Sequence, residues 1–232
     1  MKIVFISDTH GRHEDVKLPQ GNVLIHAGDV SRTGKSVEVE AFLKWYSNQP
    51  HKYKILIAGN HDWYFESNSK IMIDSRMPDN IIYLNDSGCE IEGVRFWGSP
   101  IQPEFGNWAF NRKRGEDIKA HWDLIPLKTD VLITHGPPFG ILDKTMRNDL
   151  VGCEELLKKV NQIKPKIHVF GHIHEAYGVV EKNGVKFINA SLLNHKYYYT
   201  NDPVVVDFEI GKGFWLRFKR IIATVFELIK NV

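Results

Sequence analysis

Lys2-Ile3-Val4-Phe5-Ile6-Ser7-Asp8-Thr9-His10 decides how the rest of the chain is read. An apolar, β-branched run stops at a carboxylate and an imidazole two residues apart. This is the pattern of a buried strand that delivers polar groups at its end. Side chains alternate along extended backbone, so Asp8 and His10 are expected to share a face if the extension continues past the strand. One Asp-x-His is weak evidence, because a solvated turn reads the same way.

The pattern recurs. Asn22-Val23-Leu24-Ile25-His26-Ala27 runs into Gly28-Asp29, and Lys54-Ile55-Leu56-Ile57-Ala58 into Gly59-Asn60-His61-Asp62. Val131-Leu132-Ile133-Thr134 runs into His135-Gly136, and Ile167-His168-Val169-Phe170 into Gly171-His172-Ile173-His174. In α/β sheets, ligands collect at the carboxyl ends of strands. Glycine there permits close backbone approach. Five such endings brought to one edge would gather Asp8, His10, Asp29, Asn60, His135, His172 and His174.

The bulk properties agree with an α/β protein. The 232 residues are 43% hydrophobic and 25% charged, values that fit one domain with a substantial core and argue against disorder. A formal net charge of +2 is too small to indicate a nucleic-acid-binding surface. Cys89 and Cys153 stand far apart in no paired motif, as in a reduced, cytoplasmic chain. The opening residues enter a strand at once, leaving no room for a signal peptide, and no apolar run reaches the roughly 18 residues of a membrane span.

Between the strand endings, Val39, Phe42, Leu43 and Tyr46 predict an amphipathic helix over 36–48, with Ser36 as its N-cap. Residues 64–80 read as a helix or loop that ends before Met77-Pro78. A short strand is expected at 81–84. A hairpin over 90–97 should open a second sheet, followed by an ordered loop at 101–114 and a brief helix at 117–122. Leu150, Val151, Leu156, Leu157 and Val160 predict a second amphipathic helix over 149–163. Late strands at 177–180, 186–189 and 204–208 are expected to close an antiparallel set. Residues 1–211 would then form the domain. Residues 212–232 carry a helical apolar stripe (Phe214, Phe218, Ile221, Val225) opposite Arg217 and Arg220. Such a helix packs on its own domain or a second subunit, or lies at a membrane surface as a peripheral contact.

Seven oxygen and imidazole donors without thiolate suit Mn, Fe, Zn or Ni rather than a structural zinc. Seven ligands exceed one ion's needs, so two divalent ions are expected, with a carboxylate as bridge. Two-metal hydrolytic sites space their ions roughly 3.5–4 Å apart, lower the pKa of the water between them and clamp phosphoryl oxygens. Asp8 and Asp29 are the charged ligands, and the surplus positive charge favours an anionic substrate, phosphate above all.

Asp8-x-His10, Gly28-Asp29, Gly59-Asn60-His61-Asp62, His135 and Gly171-His172-Ile173-His174 together resemble the motif set of the calcineurin-like metallophosphoesterase superfamily. The resemblance implies an α/β, four-layer αββα sandwich: two mixed β-sheets packed face to face and flanked by helices. It implies that Asp8, His10, Asp29 and His174 hold one metal, and that Asp29, Asn60, His135 and His172 hold the other. It makes His61 the group that contacts phosphate and protonates the leaving oxygen, oriented by Asp62. Runs such as Gly98-Ser99-Pro100, Thr134-His135-Gly136-Pro137-Pro138 and Ile188-Asn189-Ala190-Ser191 extend the likeness to the metallophosphoesterase-domain-containing subgroup. That subgroup is similar to class III cyclic-nucleotide phosphodiesterases.

The expected activity is therefore a manganese-favouring, two-metal phosphodiesterase acting on nucleotide-type, including cyclic, diesters. A phosphomonoesterase on nucleotides, phosphoproteins or small phosphates is the alternative, with a nuclease or a silent scaffold behind it. In the loop 105–112, Trp108 or Phe110 would stack on a base and Asn111 or Arg112 would meet phosphate or ribose, unless these aromatics simply fill core. His26 and His168 lie inside strands and read as hydrogen-bonded core. His51, His121 and His195 read as surface. His13 is a candidate to border the site, and the two cysteines read as small apolar groups.

Overall fold

The structure, a computed structural model, describes residues 1–209. The segment 212–232 and its expected helix lie outside the described residues. The first part of the chain runs β1 (Lys2–Ile6), β2 (Val23–Ala27), α1 (Ser36–Ser47), β3 (Tyr53–Ile57), α2 (Trp63–Ser67), α3 (Lys70–Arg76) and β4 (Ile82–Tyr83). The hairpin β5 (Ser87–Ile91) and β6 (Val94–Ser99) leads to the short strands β7 (Gln102–Pro103) and β8 (Asn111–Arg112). Then come α4 (Glu116–Asp123), β9 (Val131–Thr134), α5 (Glu154–Ile163), β10 (Ile167–Phe170), β11 (Gly178–Lys182), β12 (Val185–Asn189) and β13 (Val204–Asp207).

One sheet has the order β13-β1-β2-β3-β4 and the other β11-β12-β10-β9-β6-β5. Each is parallel in its middle and closed by antiparallel edge strands: β13 on the first, β11 and β5 on the second. The late strands therefore do not form one antiparallel set. β12 pairs parallel to β10, and β13 crosses to the other sheet to lie beside β1.

Strand alternation explains the four layers. Ile3, Phe5, Ile25, Ile55 and Ile57 turn inward to meet Val131, Ile133, Ile167, Val169 and Ile188 between the sheets. Their neighbours Val4, Ile6, Leu24 and Leu56 turn outward to Val39, Phe42, Leu43 and Tyr46 of α1. Leu132 and Phe170 likewise face the Ile118, Trp122, Leu156 and Val160 of α4 and α5. Each fully buried side chain of this size stabilises the fold by about 1.5–3 kcal/mol.

Several local expectations are corrected. Ser36 is the first helical residue of α1, not its cap: the Glu38 carboxylate reaches back to accept from Thr33 N, Thr33 Oγ1 and Lys35 N. Residues 64–80 hold two short helices, because Ser69 starts a new one by accepting from Met72 N. The helix expected over 149–163 begins at Glu154, where the Cys153 thiol accepts from Leu156 N. Leu150 is thus outside the helix and half exposed. His51 is buried rather than superficial, hydrogen-bonded to Pro19 O, and His13 packs against Phe42 and Trp45. Both cysteines are free thiols. Among the described residues no helix is long and apolar enough to cross a membrane.

Candidate metal centre

The carboxyl ends of β1, β2, β3, β9 and β10 meet at one end of the sandwich. The backbone there is not extended, contrary to the alternation expected for Asp8 and His10. Asp8 (φ 56°), His10 (φ 43°), Asp29 (φ 58°) and His172 (φ 71°) all occupy the left-handed region. Non-glycine residues seldom do so, and such strain persists when surrounding contacts over-determine it. Here each turn is held by main-chain bonds from strand to strand, Asp8 N to Gly28 O and His10 N to Asp29 O, both 3.0 Å. Close packing also demands glycine. A Cβ on Gly171 would stand 2.0 Å from Asp8 Oδ2, and one on Gly59 would stand 2.3 Å from Asp29 Oδ1.

Three overlapping trios result: Asp8, His10 and His174; His10, Asp29 and His61; and Asp29, His135 and His172. The ligating atoms within each lie no more than 4.8 Å apart. Asp29 Oδ2 stands 3.6 Å from His10 Nε2 on one side and 3.3 Å from His135 Nε2 on the other. Asn60 Oδ1 lies between His135 Nε2 (2.9 Å) and His172 Nδ1 (2.8 Å). His10 Nε2 and His174 Nε2 face each other at 3.3 Å.

The tautomers follow from what the other nitrogens touch. A carbonyl only accepts, so His135 Nδ1 donates to Ala27 O and His174 Nδ1 donates to Asn194 O, each at 3.0 Å. Both rings therefore present Nε2 to the centre. A backbone carbonyl that fixes a ring so that one nitrogen is left for a cation is the usual outer support of a metal-binding histidine. Convergent imidazoles and carboxylates in an almost dry site fit divalent cations, and among the described residues no Lys or Arg lines the pocket to take their place.

The buried groups of the site also shift one another's ionisation. Burial pushes the Asp8 carboxyl up, but His174, His135 and His10 together override it and hold it well below the carboxylate range. Asp29 is lowered in the same way, burial being outweighed chiefly by His135. Burial pulls His135 and His174 down, but Asp29 and Asp8 respectively raise each to about 9. Burial lowers His10 to about 4 and His172 to about 3.

The chain also matches the family model described as calcineurin-like phosphoesterase over residues 1–176. It belongs to that family. It is 42% identical over 231 residues to human metallophosphoesterase domain-containing protein 1, spanning 89% of this chain and 70% of that protein. A UPF0046 protein of Caenorhabditis elegans is 40% identical over 217 residues, with 88% of this chain and 74% of that one covered. Among solved structures, one superposes with a TM-score of 0.63 at 13% identity, covering 90% of this chain and 99% of the other. TT1561 of Thermus thermophilus superposes with a TM-score of 0.55 at 14% identity, over 81% and 88% of the two chains. The chain is thus a metal-dependent phosphoric ester hydrolase, and its histidine and aspartate cluster is a divalent metal centre.

The phosphoesterase pocket over this cluster has a volume of about 280 Å³. His10, Asp29, Asn60, His172 and His174 form its floor, while Asp8 and His135 lie buried beneath. Trp108 is at the rim, its ring 4.3 Å from that of His61. Phe110, Asn111 and Arg112 are not in this pocket. Phe110 is buried in the core, Asn111 Nδ2 braces the loop carbonyls of Phe105 and Gly106, and Arg112 is turned to His121 and Glu66.

The Asp62 carboxylate makes no hydrogen bond to the His61 ring. It accepts from Gly59 N, Val30 N, Ser31 N and Ser31 Oγ, tying the turn after β3 to the turn after β2. Burial and the charge of Asp29 push its pKa up to about 6 against the pull of these donors. The His61 ring is oriented by Arg32 O, which accepts from Nδ1 at 2.7 Å. Nε2 is therefore the ring nitrogen of His61 that this contact leaves free.

Phe105 lines the rim from the loop expected there, whereas three further rim residues were not legible as such: Glu175, His195 and Tyr197. Tyr197 packs against His10 and His174 with ring centroids 4.8 and 5.5 Å away. It arrives because Ser7 pairs with Ser191, which carries the following turn over the site. His26 and His168 are buried as expected, bonded to the hydroxyls of Thr9 (3.0 Å) and Thr134 (2.8 Å).

Proposed function

We propose that the protein is a phosphodiesterase acting on nucleotide-type diesters. In this reading Asp8, His10, Asp29 and His174 would hold one divalent cation and Asp29, Asn60, His135 and His172 the other, manganese before iron, zinc or nickel. The observation that carries it is Asp29 Oδ2, one carboxylate oxygen within 3.6 Å of His10 Nε2 and 3.3 Å of His135 Nε2. An oxygen flanked by donor sets on both sides is what a bridge between two cations requires. Such a pair of ions supplies Lewis acidity and a water activated near neutral pH.

The chain's own residues do the rest. His61 Nε2 gives a proton to the oxygen of the departing alcohol, the ring being fixed through Nδ1 by Arg32 O. His61 N donates to Asp29 Oδ1 at 2.8 Å, so the proton donor and the shared carboxylate move as one unit. Trp108 offers an aromatic face beside His61 on which a nucleobase can stack.

The test compares kcat/KM for matched mono- and diesters after reconstitution with each candidate metal, including 3′,5′- and 2′,3′-cyclic nucleotides. Diesters should be preferred. A clear preference for monoesters would replace this reading with a phosphomonoesterase. A Trp108→Ala enzyme should lose turnover of nucleotide diesters more than of bis(p-nitrophenyl) phosphate.

A further inference from the structure

A second cavity, of about 370 Å³, adjoins the metal pocket. The two share Phe105 and His172 as a common wall, and the two rings stand 5.2 Å apart. Its other walls are mostly apolar: Pro103, Pro137, Leu150, Val151 and Ile173. Thr145 also lines it, and the Thr145 hydroxyl is shut off from solvent with no hydrogen-bond partner among the described residues.

The walls are built rather than loose. Asp143 is buried and its carboxylate accepts from Gly140 N (2.8 Å) and Gly152 N (3.0 Å), closing the base of the 140–152 segment. Lys144 pairs with Leu150 across the turn. Arg114 spends its guanidinium on the carbonyls of Gly152 and Val151. Glu175, a rim residue of the metal pocket, accepts from Met146 N at 2.7 Å and couples the two cavities. Leu150 and Phe105 nonetheless leave 48% and 43% of their surface exposed, apolar area facing water beside a reaction centre.

An acyclic phosphodiester carries two separate organic groups, and a monoester or a cyclic diester one. His61 and Trp108 stand on the metal-pocket side and take no part in the second cavity, so the departing alcohol belongs with them. We propose that the second cavity receives the other ester group, the one retained on phosphorus, and that this group is an apolar, ring-sized alcohol. The inference rests on the diesterase reading and narrows its substrate class. The reaction balances as simple hydrolysis. The oxygen of water bonds to phosphorus, the P–O bond to the departing alcohol breaks, and that alcohol takes a proton from His61. The retained alcohol leaves as its phosphomonoester.

The test uses the full, metal-reconstituted chain and p-nitrophenyl diesters whose retained group is methyl, phenyl or naphthyl. For the wild type, kcat/KM should rise by about tenfold or more from methyl to naphthyl, the scale on which apolar pockets discriminate. Leu150→Glu, a change at a half-exposed position, should collapse that ratio towards unity. Ile71→Glu, on α3 and outside both cavities, should keep it. A wild-type ratio near unity overturns the subsite while leaving diesterase activity standing, and so does an unchanged ratio in Leu150→Glu. An enzyme that hydrolyses monoesters alone overturns both.

Discussion

Gly171→Ala tests the close packing of the centre most directly. The methyl group would stand 2.0 Å from Asp8 Oδ2, 2.2 Å from Ser7 Oγ and 2.7 Å from Ser7 Cβ. Non-bonded heavy atoms settle at about 3.5–4.0 Å, so Asp8 or the turn after β10 must yield by more than about 1 Å. Neither is free to do so. The Asp8 carboxylate accepts from His172 N at 3.1 Å and from Ser191 Oγ at 2.8 Å, and Gly171 N donates to His135 O at 3.0 Å. Overpacking of this kind costs about 1–3 kcal/mol of stability. A displacement near 1 Å at a reacting centre costs on the order of 10²-fold in rate. The variant should therefore fold, lose about 10²-fold in kcat/KM and bind less metal, read by elemental analysis beside thermal unfolding. Gly136→Ala is the matched control, because its added Cβ would be 3.7 Å from its nearest neighbour, Gln102 Cβ. If Gly171→Ala kept full metal and wild-type turnover, the geometry described for Asp8 would be wrong.

Other outcomes are expected. His61→Ala should keep its metal but lose kcat, most with poor leaving groups, whereas Asp29→Ala should lose metal as well, and a fully loaded Asp29→Ala protein would contradict the shared-carboxylate assignment. In metal-free protein, His135 and His174 have pKa values raised from 6.5 to about 9, so the stability they contribute is complete below pH 6.5 and lost as pH rises through 9. Metal must displace those protons, so its affinity should rise over the same window with net proton release, measurable by calorimetry in buffers of different ionisation enthalpy. Uptake without proton release would refute this. Asp62→Ala strands the buried donors Gly59 N, Val30 N and Ser31 N and should cost several kcal/mol in urea unfolding, at about 1–3 kcal/mol per orphaned group. A loss below about 1 kcal/mol would show that water or another acceptor replaces the carboxylate.

Much of this site was legible because its parts sit at the ends of apolar runs. Val23, Ile25, Ile55, Val131 and Ile167 could hardly be anything but buried strands, and the polar residues after them had to emerge at the same end. The geometry of that emergence was not legible. Alternation placed Asp8 and His10 together for an extended backbone, whereas left-handed turns do it, a choice made by bonds to β2 that local sequence does not record. Asp62 was misread for the same reason, since its partners come from a turn about thirty positions earlier. His51 sits among polar neighbours yet is buried, and Tyr197 reads as one of three consecutive tyrosines until the Ser7–Ser191 pairing carries it to the rim. Phe110 and Trp108 are two positions apart in one loop. The positive φ of Phe110 sends it to the core, leaving Trp108 over the pocket.

The pairing of Ser7 with Ser191 also sets a schedule. Asp8 leans on Ser191 across 183 positions, and His174 is oriented by a carbonyl at Asn194. Contacts so distant along the chain cannot form until both partners have been made. During synthesis, the strands bearing most of the cation-binding groups emerge well before the segment that aligns them. Ribosome-arrested chains whose emerged part ends before Ser191 should therefore bind divalent cations poorly, and those whose emerged part includes Asn194 should bind them. The hydrolase would then stay dormant until the segment through Asn194 has been made.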